Sequence, residues 1–112
     1  VIGIHAVGVV SALGDTPEEL VRRLDAGETA LAPSAELRHL PDPRAGVVPG
    51  PDLGPWLARR KDARLLPRAA RLALPAAGRA LAGLALDRDA LGLFVAVGRE
   101  PPDEGEAEPA LA

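Results

Sequence analysis

Ile4-His5-Ala6-Val7-Gly8-Val9-Val10-Ser11-Ala12-Leu13-Gly14 runs directly into Asp15-Thr16-Pro17-Glu18-Glu19-Leu20, and the expected fold hangs on this junction. From Val1 to Val10 the side chains are Val, Ile, Ala and Gly, with His5 the single polar one. Continuous apolarity without alternation predicts a strand covered on both faces, as in parallel α/β sheets. Gly8 and Gly14 bracket a turn, where a missing Cβ lets the backbone bend or approach a neighbour. A helix start follows: Thr16 suits the N-cap, Pro17 the first helical position, and Glu19 closes a Thr-x-x-Glu capping box. Glu18 and Glu19 also complement the positive end of the helix dipole. Leu20, Val21 and Leu24 form one apolar stripe with Arg22, Arg23 and Asp25 facing outward, and Gly27 supplies the stop.

Outward from that junction the patterns weaken. Glu28–Pro55 is Pro/Gly-rich, punctuated by Pro33, Pro41, Pro43, Pro49, Pro51 and Pro55, with a short extended piece expected over 45–50. A structureless loop of this length is unusual in a small domain and natural in a segment wrapping a larger body. Trp56–Leu86 is a second helical zone. Pro67 suits a helix start, whereas Pro75 lies where a helix interior belongs and costs about 3 kcal/mol. Gly78 adds to that cost, so a bend or a split near Leu74 is expected. Leu91-Gly-Leu-Phe-Val-Ala-Val-Gly98 reads as the second strand. Residues 99–112 are acidic and proline-rich, the signature of a solvated tail or linker. No internal repeat is visible.

The 112 residues suffice for one domain. Trp56 and Phe94 are the only aromatics, and the apolar content is Ala, Leu and Val. Alanine buries little area at about 25 cal/mol per Å2, so such a core is weak for its size. With 12 Gly and 12 Pro, an autonomous, highly stable domain is not expected. The absence of cysteine excludes disulfides, thiolate metal sites and a cysteine nucleophile within these residues. No stretch of about 18 apolar residues and no charged-then-apolar leader is seen, so a cytoplasmic setting is expected. The start at Val1 and the lack of methionine imply a removed start or a segment of something longer. A net charge of −3 carries no signal for nucleic acid.

The opening resembles that of the β-ketoacyl synthases, the condensing enzymes of fatty-acid and polyketide synthesis within the thiolase-like fold, whose usual pattern is I-T-G-[IL]-G-[VM]-[VI]-[ST]-P-[LI]-G. The helix ending Leu24-Asp25-Ala26-Gly27 is similar to the family's Leu-x-x-Gly. The basic lead Arg59-Arg60-Lys61, the Leu/Ala-rich helix closing at Ala80-Leu81-Ala82-Gly83-Leu84 and the strand from Leu91 follow in the family's order. Pro67 and Pro75 depart from it. The resemblance covers 1–98 and implies an α/β, partial thiolase-like layered fold: two main strands, two to three helices and a long Pro/Gly-rich excursion. In the family a cysteine at a helix N-terminus takes the acyl group, and two His (or one His and one Asn) assist decarboxylation and stabilise the oxyanion. None of those positions exists here, so no catalytic, cofactor or metal residue is assigned, and the polypeptide alone is expected to be inactive.

Other candidates have plain structural readings. Gly3, Gly8 and Gly14 lack the G-x-G-x-x-G spacing of a dinucleotide turn. Ser11 is not in a G-x-S-x-G elbow and reads as a turn residue. His5 reads as a hydrogen-bonded core histidine and His39 as a surface one; together they make no metal site. The basic stretch Arg59, Arg60, Lys61, Arg64, Arg68 and Arg71, opposed only by Asp62, stands out. The resemblance implies contact between Arg59, Arg60, Lys61, Arg64 and Arg68 and an acidic acyl carrier protein. The alternative is a solvated face with intramolecular pairs to the acidic tail; few stacking aromatics accompany it for nucleic acid. Three functional readings stand: the N-terminal portion of a ketosynthase-like protein, a non-catalytic chain-length-factor-like subunit beside an active synthase, and a small α/β binding module. The expected partners are the remainder of a ketosynthase-like fold or a ketosynthase subunit, and an acyl carrier protein. Uncovered sheet edges and helix faces predict marginal stability or self-association of the isolated chain.

Overall fold

Thr16 sets the first helix. Its backbone is extended, at φ −127° and ψ 149°, and its Oγ1 accepts the Glu19 amide at 3.1 Å. Helix α1 then runs Pro17–Asp25 with Pro17 in the first turn. Only half of the expected capping box forms: no return bond from Glu19 to Thr16 is present, and the Glu19 side chain lies over Gly14 instead. At the other end Gly27 takes φ +72°, in the left-handed region that glycine enters without strain. Its amide bonds the Leu24 carbonyl and the Glu28 amide bonds the Arg23 carbonyl, both at 3.0 Å, which together make a Schellman ending. The apolar stripe is covered only at Leu20. Val21 and Leu24 remain exposed, because nothing in the described structure packs on that side of α1.

The computed structural model describes residues 1–98; the acidic stretch from Arg99 to Ala112 lies outside the described residues. Past α1, the excursion holds a small antiparallel hairpin. Strand β1, Leu31–Pro33, pairs with β2, Arg44–Gly46, in the register Leu31↔Gly46, Ala32↔Ala45 and Pro33↔Arg44. The Ser34 amide donates to the Pro43 carbonyl at 2.6 Å, and one 3-10 turn, Ala35–Leu37, lies in the connecting loop. Arg44 clasps Asp42 through two 2.8 Å bonds at the foot of β2. Further 3-10 turns follow at Gly54–Trp56 and Arg60–Leu65.

Helix α2, Arg68–Leu81, starts after Pro67 and continues through Pro75 as one element. The expected split near Leu74 does not occur. Pro75 is fully buried, so its ring packs in the centre of the molecule, where the contact offsets the missing amide donor. With Leu13 and Leu53 it makes up the whole buried core of the described residues. Leu72, Pro75, Ala76 and Ala80 share the stripe that packs inward, and Arg79 beside them is exposed. Two glycines make the packing fit. A Cβ on Gly8 would overlap the Ala76 carbonyl, so the N-terminal segment lies directly on the α2 backbone. A Cβ on Gly78 would overlap the Trp56 ring, so the position that weakens the helix is also the seat of the only tryptophan.

The architecture is a small mixed one, helices with a two-stranded sheet, consistent with a generic α/β class. Neither long predicted strand forms. Val1–Val7 and Leu91–Gly98 carry no ladder and are exposed, Ile4 at 87% and Phe94 at 97%. A strand needs a neighbour to take its amides and carbonyls, and among the described residues the only backbone bond from either segment is the local one from the Leu91 amide to the Arg88 carbonyl. His5 is exposed with its segment rather than buried.

Candidate functional site

The turn that follows the first segment is built by Ser11. Its hydroxyl donates to the Gly14 carbonyl at 2.7 Å and accepts the Gly14 and Leu13 amides at 3.0 and 3.3 Å. All its hydrogen-bonding capacity goes into closing the turn, as a serine in that role does. Two arginines then brace the turn from outside. Arg79 of α2 reaches the Val9 and Asp15 carbonyls at 3.4 Å, with its other nitrogen 3.8 Å from the Asp15 carboxylate. Arg23 of α1 donates to the Leu13 carbonyl and pairs with Glu28 at 2.6 Å. Each guanidinium holds carbonyls that no helix or sheet would otherwise satisfy.

Between this turn, α2 and the proline-rich loop lies an open cleft of about 360 Å3. Val10, Val48, Pro49 and Trp56 supply apolar walls, and Asp15 and Arg79 a charged rim. A second hollow of about 270 Å3 shares Asp52 and is bordered by Arg60 and Arg71. The first volume falls at the small end of the range for small-molecule sites. Neither space is lined by Ser11, His5 or His39. The charged groups that line the first cleft are Asp15, Asp52 and Arg79. The cleft joins residues distant in sequence, and nothing local announced it. The sole tryptophan and a helical glycine were the available signals.

The five basic residues assigned to partner contact are all exposed, on and beside the Arg60–Leu65 turn and at the start of α2. They do not act alike. Arg59 pairs with Asp62 at 3.2 Å and Arg60 approaches Asp52 at 3.8 Å. Among the described residues, Lys61, Arg64 and Arg68 have no carboxylate within ion-pair distance. Arg71 turns back to the Leu66 carbonyl at 2.8 Å, which removes it from the outward set. His39 is exposed, as expected. Among the described residues no cluster of His, Asp and Glu has the arrangement of a metal site, and no helix is long and apolar enough to cross a membrane.

No known protein family, curated protein or solved structure matches this chain.

Proposed function

We propose that the chain is the N-terminal part of a β-ketoacyl-[acyl-carrier-protein] synthase-like protein of fatty-acid or polyketide biosynthesis, working in the cytoplasm, and that it contributes scaffold rather than chemistry. The observation that carries this is the ordered run from Ile4 to Gly27: an apolar segment, a Ser11-closed turn between Gly8 and Gly14, and a helix capped by Thr16 and ended by Gly27. Condensation of that kind passes the acyl group through a cysteine thiolate and holds the developing oxyanion with imidazole or amide donors. These 112 residues contain no cysteine. Lys61, Arg64 and Arg68 form the face offered to an acidic carrier protein, whose charge would steer its approach.

Native polypeptide captured from its host with an antibody to residues 1–98, then incubated with a radiolabelled acyl thioester, tests this reading. Label on a cysteine of the captured chain supports it. Label confined to a co-captured second subunit would select the chain-length-factor-like alternative. No label on either would leave a small α/β binding module unrelated to condensation. The 112-residue polypeptide by itself is expected to form no carbon–carbon bond from acyl and malonyl thioesters.

A further inference from the structure

We infer that the cleft between the Ser11 turn, α2 and the proline-rich loop binds a small organic ammonium ion with an apolar body, an arylalkylamine in its protonated form. The inference goes beyond the synthase-like reading and does not depend on it. Two carboxylates, Asp15 and Asp52, face one guanidinium, Arg79, on the cleft lining. The guanidinium is engaged: one terminal nitrogen bonds the Val9 and Asp15 carbonyls and the other lies toward the Asp15 carboxylate. An incoming anion would have to compete with all three. The carboxylates have more to give. Asp52 Oδ1 accepts the Gly54 amide at 2.9 Å and lies 3.8 Å from Arg60, while among the described residues its Oδ2 accepts no bond. Asp15 Oδ2 is 3.8 Å from Arg79, beyond hydrogen-bond reach, and among the described residues neither of its carboxylate oxygens accepts a bond. An ionised carboxylate can only accept, so the capacity left open in the cleft fits a cationic N–H donor, the partner that makes the stronger, charge-assisted bond.

The apolar part of the ligand follows from the walls. Trp56 is the sole tryptophan and half-buried, and the benzene half of its indole occupies the space beside Gly78. An indole attracts a cation lying within about 6 Å of its ring, and Val48 and Pro49 on the same lining take up hydrocarbon. A volume of about 360 Å3 suits one ring on a short amine arm rather than a large ligand. The receiving groups are set before a ligand arrives. Gly78 seats the indole, the Gly54 amide holds Asp52, and Arg79 holds the Asp15 backbone. Groups fixed in this way lower the ordering cost of binding.

Because the sole tryptophan lines the cleft, its emission reports occupancy. The 112-residue chain is titrated at neutral pH with phenethylammonium, and with phenethyl alcohol and phenylpropionate as neutral and anionic counterparts. A saturable change in Trp56 emission in the millimolar range is expected for the ammonium, with binding about tenfold weaker for either counterpart. Asp52→Asn keeps an oxygen for the Gly54 amide and removes the charge, so ligand-free emission should be unchanged while the dissociation constant rises about fivefold. Asp15→Asn should act in the same direction. Asp42→Asn, which alters a carboxylate outside the cleft, should change the constant by less than about twofold. Equal binding of the alcohol, tighter binding of phenylpropionate, an Asp52→Asn chain that binds as well as the parent, an equal loss in Asp42→Asn, or no saturable response to the ammonium would each overturn the inference.

Discussion

Val7-Gly8-Val9-Val10 and Val95-Ala96-Val97-Gly98 are nearly the same string read in two places, yet the molecule treats them oppositely. Around Gly8 the backbone lies on α2, Val9 and Val10 are half-buried, and Arg79 bonds the Val9 carbonyl. Around Gly98 nothing approaches within 4 Å of where a Cβ would stand. Intrinsic strand preference is equal in the two runs, so preference does not decide. What decides is whether a receiving surface exists: α2 offers Ala76, Ala80 and a guanidinium to the first run and nothing to the second.

The largest effect that would break this contrast is Gly8→Ala. The new methyl meets the Ala76 carbonyl, a backbone atom that cannot step aside, and we expect a loss of about 2–3 kcal/mol, as overpacking costs. Gly98→Ala should stay within about 0.5 kcal/mol. Urea unfolding followed by Trp56 fluorescence compares the two, and equal shifts would mean that Gly8 does not touch α2. Next comes Gly78→Ala. In an ordinary exposed helix this change stabilises by about 1 kcal/mol. Here the methyl displaces the Trp56 ring, so a net loss of about 1–2 kcal/mol with altered Trp56 emission is expected. A gain in stability would show that the ring does not sit on Gly78.

Smaller again is the effect of the braces. Arg79→Ala and Arg23→Ala each remove bonds to turn carbonyls, and each should cost about 1 kcal/mol. Amide exchange should quicken over residues 9–15 in both variants and not over 91–98. Uniform quickening would dissolve the distinction between the two regions. The smallest effect concerns Asp42, which lies outside both. The Arg44 guanidinium bonded to it holds its carboxyl below the usual carboxylate range. A depressed folded value stabilises above the unfolded carboxylate range and is lost as pH falls through the folded value. NMR titration should find the Asp42 midpoint below the usual carboxylate range, and Arg44→Ala should return it there; the pair is exposed, so global stability should barely move.

How much of this could be read from the residues follows the range of the interactions. Helix α1, its Thr16 cap, its Gly27 ending and the Ser11 turn depend on bonds between near neighbours, and the residue order announces them all. Trp56 on Gly78 and Arg79 on Val9 join distant stretches, so Gly78 looked like a defect when it is a seat. Strand β1 was illegible for another reason, and β2 meets the extended piece expected over 45–50 only at Ala45 and Gly46. Three residues each, with Pro33 in one, are too short to show alternation. The predicted long strands failed because a strand is a relation between two segments, and one run of valines specifies only half of it. The exposure of Arg59, Arg60, Lys61, Arg64 and Arg68 was plain from their charge. Their division into paired and outward-facing residues was legible only for Arg59, whose partner Asp62 is three residues away, because the pairing of Arg60 depends on where Asp52 comes to lie.

The two ends of α1 bear on the order in which the chain folds. Its cap and its Schellman ending close within a dozen residues and ask nothing of the rest of the molecule. Local contacts of that kind form on the microsecond scale of helix–coil relaxation. The bonds from Arg79 span 70 and 64 residues and must wait for loop closure. The helix is thus expected to be in place before α2 arrives to hold the turn. A collapsing chain would then spend its slowest interval with α1 forming and melting many times over and the Val9 and Asp15 carbonyls still in water.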